Sequence, residues 1–380
     1  MTAPVRTAGG RGRGFVDRAV RLGRSGAALA VCALAGCAGS PILPGPSETA
    51  VTGSIAPAAV EPATGMATGD FGAFVAHLWP EAQARGISRA TFDAAFAGVR
   101  PDPRIIALTR RQAEFVRPAG DYLAKAVTAA RLERGAEVAA EYASTLNTIA
   151  ATYGVDRAAI VGVWGMETNF GSNFGKNYVI RALATLAFER YRGDYFKREL
   201  LVALQILQER HIAVGDMQGS WAGAMGQTQF MPTSFMVYAV DYDRDGRRDI
   251  WRSVPDALAS TANYLKKHGW ITGLPWGFEV VLPPGPTAEG TKHSFAAWAA
   301  AGARRADGKA FPAHGEASVL RPAGAGGPAF LVTRNFFVIK RYNNSTSYAL
   351  GVAHLGDRIY GGPPVQAAWP TAPLTTGSIR

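Results

Sequence analysis

The amino-acid sequence predicts a mainly α protein, α+β in class, whose helical body carries a small β-containing insert. Three observations predict it. Apolar residues recur at helical spacing early in the body, as in Phe71, Phe74, Val75 and Leu78. After Gly269-Trp270 the texture changes to short runs rich in β-branched and aromatic residues, with proline and glycine between them. The 380-residue chain is 48% hydrophobic but holds only two cysteines, so core packing and not a disulfide framework must supply its stability.

The N-terminus reads as a targeting segment. Arg6, Arg11, Arg13, Arg18, Arg21 and Arg24 face one acid, Asp17, ahead of an uncharged apolar stretch over residues 25–36. That stretch is shorter than the roughly 20 residues of a membrane-spanning helix, so residues 1–36 are expected to be a secretion signal peptide. It ends Leu34-Ala35-Gly36-Cys37, which resembles the lipobox of bacterial lipoproteins and implies lipidation of Cys37 and a membrane contact through that anchor. An ordinary cleavage site with a chance cysteine is the other reading. Removing the leader leaves 34 Lys and Arg against 28 Asp and Glu, so about half of the formal +11 charge is targeting. Export and this halved charge argue against a nucleic-acid partner. Residues 37–69, dominated by Pro, Ala, Gly, Ser and Thr, read as a tether, and residues 363–380 as a flexible tail.

Within the body, Gly86 followed by Ser88 predicts a helix stop and a new N-cap ahead of Phe92 and Phe96. Helix-period stretches continue through residues 121–153. Residues 195–211 predict a helix with Phe196, Leu200, Leu204 and Leu207 on its core stripe and Glu199, Gln208, Glu209 and Arg210 off it. Residues 278–282 and 330–342 read as the β-rich segments of the insert.

The chemistry concentrates in two places. In the segment that begins at Asp156, this aspartate is expected to cap a helix on which Ile160, Val163, Trp164 and Glu167 fall at i, i+3, i+4 and i+7. Glu167 therefore lies on the apolar stripe, near the negative end of the helix. Desolvation and the macrodipole both raise the pKa of a carboxyl there, which suits a general acid that must protonate a leaving oxygen. A last-turn glutamate reaching solvent past Gly171 is the blander reading. The second place, residues 219–232, sets three glycines and two alanines among Ser220, Gln227, Gln229, Phe230 and Met231. Small residues allow close backbone approach, and amides with aromatic faces suit a sugar chain.

Glu167-Thr-Asn-Phe-Gly followed by Gly223-Ala-Met-Gly-Gln-Thr-Gln-Phe-Met-Pro resembles the lysozyme-like lytic transglycosylases, specifically the membrane-bound lytic murein transglycosylase B family. The ordered blocks beginning Thr91-Phe-Asp, Arg111-Gln-Ala, Ala262-Asn-Tyr and Arg341-Tyr-Asn extend the likeness over nearly everything after the tether. The resemblance implies a lysozyme-like helical core with an additional helical domain and a small β-domain. It divides the chain into an N-terminal helical domain (70–155), a catalytic core (156–275), the β-containing insert (276–335) and a segment returning to the core (336–362). It also implies cleavage of the β-1,4 bond between N-acetylmuramic acid and N-acetylglucosamine, with a 1,6-anhydro product and Glu167 as sole catalytic acid and base. No cofactor is then needed for catalysis. No Asp or Glu lies between Glu167 and Glu189 or over residues 220–240, so no second carboxylate competes for the role. By the same resemblance Ser220 and Asn343 orient the reacting sugar, while Gln229, Tyr264, Tyr342 and Tyr348 line the cleft; Tyr264 is open to a second reading as a core tyrosine. Implied partners are peptidoglycan glycan strands and proteins of cell wall synthesis or turnover. The implied location is the periplasm, on the outer membrane of a Gram-negative bacterium. A non-catalytic peptidoglycan-binding scaffold of the same fold is the rival function.

Residues 241–251 place acids at loop positions one, three, five and nine and Gly246 at six, the pattern of an EF-hand calcium loop. Asp241, Asp243, Asp245 and Arg247 occupy the ligand positions. Position twelve is Arg252 instead of glutamate, and Asp256 is the candidate to replace it, giving a structural Ca2+ site. A solvated acidic turn, with Asp256 capping the following helix, is the alternative. Zinc-peptidase, serine-hydrolase and nucleotide-binding motifs are absent from the sequence.

Overall fold

The computed structural model describes residues 69–111, 118–285 and 287–370. The leader, Cys37, most of the tether, the end of the tail and most of the Arg111 block lie outside the described residues.

Six helices open the body: α1 (Phe71–Ala84), α2 (Arg89–Phe96), α3 (Pro103–Arg111), α4 (Ala119–Ala126), α5 (Ala129–Glu141) and α6 (Ala143–Tyr153). Their ends follow local chemistry. Asp70 accepts from Gly72 N, Ser88 from Thr91 N and Thr128 from Arg131 N, each meeting a donor that a helix start leaves unpaired. The periodic stretch over 121–153 is thus three helices, with Thr128 starting the second and Tyr142 serving as both the end of α5 and the start of α6.

The centre consists of α7 (Arg157–Thr168), the two-residue strands β1 (Asn177–Tyr178) and β2 (Gln218–Gly219), α8 (Val179–Phe188), α9 (Tyr195–Gln208), α10 (Pro232–Tyr238) and α11 (Val254–Lys267). The β-containing unit holds strands β3 (Gly277–Val281), β4 (Lys292–Ser294), β5 (Arg304–Arg305), β6 (Glu316–Leu320) and β7 (Ala329–Val332), with the short helix α12 (Phe295–Ala300). These strands form one antiparallel sheet in the order β4-β6-β7-β3-β5. Its own core contains Phe295, Trp298, Val319 and Leu331. The chain then returns through α13 (Arg334–Tyr342) and α14 (Thr346–Ile359) to the main core. No helix among the described residues is long and apolar enough to cross a membrane.

Three local expectations need correction. Residues 334–342 are helical despite their β-branched and aromatic content: Thr333 caps α13 by accepting from Asn335 N, and Phe336, Ile339 and Tyr342 bury one helical stripe. Glu199 is only 2% exposed, because its carboxylate takes the backbone N–H (2.9 Å) and hydroxyl (2.8 Å) of Thr233 in the first turn of α10. Asp156 stands at the N-cap position of α7, but its side chain accepts no capping hydrogen bond there.

The crossing of α7 and α14 positions the site. A Cβ on Gly162 would come within 2.3 Å of Val352 O, and one on Gly356 within 2.1 Å of Ala158 O, so both positions require glycine. These pairs run in opposite chain directions, so the helices are antiparallel. Extending the register brings the last turn of α7 against the first turn of α14.

Candidate active site

That register sets Glu167 opposite Tyr348. Ser345 caps α14 by accepting from Tyr348 N, which fixes the tyrosine at the helix start. The Tyr348 hydroxyl donates to Glu167 Oε1 at 2.5 Å, joining residues 181 positions apart in the chain. On the other side, α7 ends with Asn169 and Phe170 at φ 50° and 59°, and their N–H groups return to Gly165 O and Trp164 O. Phe170 is thereby folded back, its ring edge-on to Trp164 at 5.7 Å. Arg131 holds Asn169 from outside by donating Nε to its Oδ1 at 3.1 Å.

Glu167 is half-buried as a residue, while its carboxyl sits among protein groups. Burial pushes it up to about 7 from the ordinary 4.5, although the Tyr348 hydrogen bond, which favours the anion, pulls it down. At neutral pH the group is divided between acid and base forms. Its charge reaches the aromatic groups around it. Burial pushes Tyr122 of α4 up to about 12, with Glu167 adding to the effect; Tyr342 and Tyr348 are raised by the same two causes, and Tyr264 by burial and Tyr238, with a smaller contribution from Glu167. All four phenols are therefore neutral at physiological pH, and the Tyr348 hydroxyl can only donate to a Glu167 anion.

Glu167, Tyr348, Tyr342 and Tyr264 are brought into one neighbourhood, though not all at a surface. Tyr264 and Tyr342 have 0% exposure, which corrects the expectation that they line a cleft. Their hydroxyls are committed to backbone carbonyls: Tyr264 donates to Arg341 O at 2.6 Å and Tyr342 to Thr228 O at 2.7 Å. With Phe230, whose ring lies 5.7 Å and 5.8 Å from theirs, they make an aromatic support for the loop over residues 219–232. Gln229, at φ 52°, is also turned to structural work, its Nε2 donating to Phe174 O and Gly226 O. Ser220 is half-buried, and its Oγ accepts from Ala222 N and Ala224 N, so its hydroxyl hydrogen remains to be given elsewhere. Asn343, half-buried, ends α13 directly after Tyr342.

Two residues outside the predicted set matter as much. Gln227 ties Glu167's helix to the loop: Trp164 Nε1 donates to its Oε1 at 2.9 Å, its Nε2 donates to Trp251 O at 3.1 Å, and its carbonyl accepts from Thr168 Oγ1 at 3.2 Å. Tyr122 packs beside Met166 against Gly351. The presence of Gln227 in the glycine-rich block was a signal for the first; only the fold reveals the second.

In the acidic loop, carboxylate oxygens of Asp241, Asp243 and Asp256 lie within 4.8 Å of one another. Asp256 is fully buried, although two backbone N–H groups, of Tyr242 and Asp249, serve it. Three converging hard oxygen donors, one of them buried, fit a divalent cation such as Ca2+. Asp245 is not one of the three and pairs with the Arg247 guanidinium at 3.3 Å, while at the seventh loop position Arg247 would offer its backbone carbonyl. Ser253 caps α11 instead of Asp256, whose own N–H donates to it.

Residues 70–357 match the transglycosylase SLT domain. The chain belongs to that family. It is 38% identical over 242 residues to the membrane-bound lytic murein transglycosylase B of Escherichia coli K12, a match spanning 63% of this chain and 66% of that protein, just under two thirds of the relative's length. Among solved structures it is similar to SltB3 from Pseudomonas aeruginosa in complex with NAG-anhNAM-pentapeptide, with 48% identity, a TM-score of 0.76, and 80% and 82% of the two chains covered. It is also similar to the Escherichia coli lytic transglycosylase Slt35 in complex with calcium, at 32% identity and TM-score 0.65, covering 76% and 92%. The family's helix-rich, lysozyme-like architecture with small sheets is the one described above.

Proposed function

We propose that the protein is a peptidoglycan lytic transglycosylase, cleaving the β-1,4 bond between N-acetylmuramic acid and N-acetylglucosamine in cell wall turnover. The observation that carries this reading is the Glu167 carboxyl, held near 7 by burial and accepting the Tyr348 hydroxyl. The protonated Glu167 gives its proton to the glycosidic oxygen as the bond from that oxygen to muramoyl C1 breaks. The substrate's own N-acetyl carbonyl steadies the cationic C1, and Ser220 and Asn343 are the groups assigned to orient it. The Glu167 anion, now stabilised by the Tyr348 O–H, removes the proton from the muramoyl C6 hydroxyl as that oxygen closes on C1. The result is a 1,6-anhydro ring and a carboxyl restored to its acid form. Proton count and charge balance without water, because the attacking hydroxyl is intramolecular.

The loop carboxylates of Asp241, Asp243 and Asp256 are assigned to a structural Ca2+, which would neutralise their repulsion and fix the start of α11. The leader and Cys37 support a periplasmic lipoprotein held at the outer membrane; substitution of Cys37 by Ser should release the chain from the membrane fraction. The decisive experiment is mass spectrometry of sacculi digested by the wild type and by E167Q. Anhydro-muropeptides released by the wild type alone support the assignment. Reducing-end products of hydrolysis, or undiminished release by E167Q, overturn it.

A further inference from the structure

The sequence predicts a flexible tail from residue 363, but residues 363–370 are docked along the body. After α14, Gly362 N turns back to donate to Asp357 O at 2.7 Å. Pro363 and Pro364 then restrict the backbone, so docking this segment costs less conformational entropy than docking a freer one. The next residues meet the β-containing unit: Gln366 N and Ala367 N both donate to the Glu279 carboxylate of β3 at 2.7 Å. Two residues later the chain reaches a different element. Trp369 lies against α4, where a Cβ built on Gly120 would come within 2.8 Å of its ring, and Pro370 packs at Gly327, 3.2 Å from the same construction there.

The helix that receives Trp369 is poorly secured by its own sequence. α4 has eight residues, its start has no side-chain cap, and Gly120 in its first turn weakens it further. Its buried stripe is Ala119, Leu123 and Ala126, two of them alanines, so little apolar area anchors it. The glycine is what lets the indole approach the helix backbone so closely. Two residues beyond it stands Tyr122. The Tyr122 ring and the Met166 side chain meet over Gly351 of α14, 3.2 Å and 3.1 Å from a Cβ built there, and Met166 directly precedes Glu167. Glu167 acts on Tyr122 of α4, Tyr348 of α14, Tyr342 of α13 and Tyr264 of α11, and Arg131 of α5 acts on Tyr122.

We propose that residues 363–370 form a strap, anchored on Glu279, through which Trp369 positions α4 and with it the Tyr122 side of the Glu167 enclosure. Trp369 is thus a positioning residue that acts through α4, and its role rests on Glu167 being the acid of the reaction proposed above. With the strap released, α4 loosens, water reaches Glu167, and the carboxyl loses its proton at a lower pH.

The test compares W369A and W369F in the full chain by hydrogen exchange and by the pH profile of anhydro-muropeptide release. W369A should speed amide exchange over residues 119–126 by about tenfold or more and leave α9 as in the wild type. It should also move the alkaline limb of activity down by about 0.5 pH unit or more. W369F keeps a ring on Gly120 and should restore both. E279A, which frees residues 366 and 367 without touching Trp369, should give the same two effects more weakly. Y122A should lower the limb by itself, and W369A/Y122A should lower it no further. Unchanged exchange over 119–126 in W369A, an activity loss equal at every pH with the limb unmoved, or additive shifts in the double variant overturns the proposal. Exchange is read without turnover, so a wild type that releases no anhydro products sinks the proposed function and leaves exchange to judge the strap.

Discussion

Replacing Glu167 by Gln should make the protein more stable at alkaline pH while silencing it. In the unfolded chain the carboxyl ionises near 4.5, whereas in the folded site burial holds it near 7. Below 4.5 both states are protonated and the group contributes no pH dependence. Between 4.5 and 7 the unfolded state loses its proton first, so folding stability falls as pH rises, and above 7 the penalty is constant. The displacement of the pKa corresponds to about 3 kcal/mol. The amide of E167Q cannot ionise, yet its carbonyl can still accept from Tyr348, so the variant lacks this slope and keeps the contact. Denaturant unfolding of the two proteins at pH 4.5, 6 and 8 measures the difference. The curves should nearly coincide at the lowest pH, and E167Q should be the more stable by about 2–3 kcal/mol at pH 8. Equal stability at all three values, or a variant weaker at pH 8, would mean that Glu167 is not desolvated in the fold, and the argument for a protonated acid would go with it.

Y348F removes the donor that lowers the Glu167 pKa, so the alkaline limb of the activity profile should move up by about 1–2 pH units while turnover falls, as the pH dependence of product release would show. A limb that moves down would contradict the assigned direction. If the acidic loop takes Ca2+, a saturating ion should raise Tm by several degrees over chelator, with the gain lost in D241N/D243N; calorimetry reads both. G356V should lower stability by about 3 kcal/mol or more, since even a single Cβ would overlap Ala158 O, and should abolish activity by separating α7 from α14. T233V strips Glu199 of its hydroxyl donor while keeping its N–H donor, with an expected loss of about 1–3 kcal/mol in chemical denaturation.

What was legible in the sequence was what depends on short-range pattern. Ser88 behaves as a cap because its partner, Thr91 N, is three residues away, and Glu167 falls on a buried stripe because a helix repeats over known positions. Propensity failed where tertiary contacts decided: residues 334–342 carry strand-like composition but gain a capped start and a buried face as a helix. Glu199 defeated the stripe argument for a related reason, since a carboxylate is tolerated in the core once the first turn of another helix supplies its donors. The residue types of the proposed glycan site were readable, while the commitments of Tyr264, Tyr342 and Gln227 to backbone groups, and of Gln229 to Phe174 O, were not, because those partners are distant in sequence and only folding brings them near. Tyr122 gave no signal at all.

The pairing of Glu167 with Tyr348 also has a meaning in time. A chain made from its N-terminus carries its acid long before the phenol that steadies it exists, since 181 positions separate the two. Until residues 346–359 have docked, the nascent chain holds the Glu167 carboxyl without its Tyr348 donor. The surroundings that hold the Glu167 carboxyl near 7 are therefore complete only once the chain through α14 has folded.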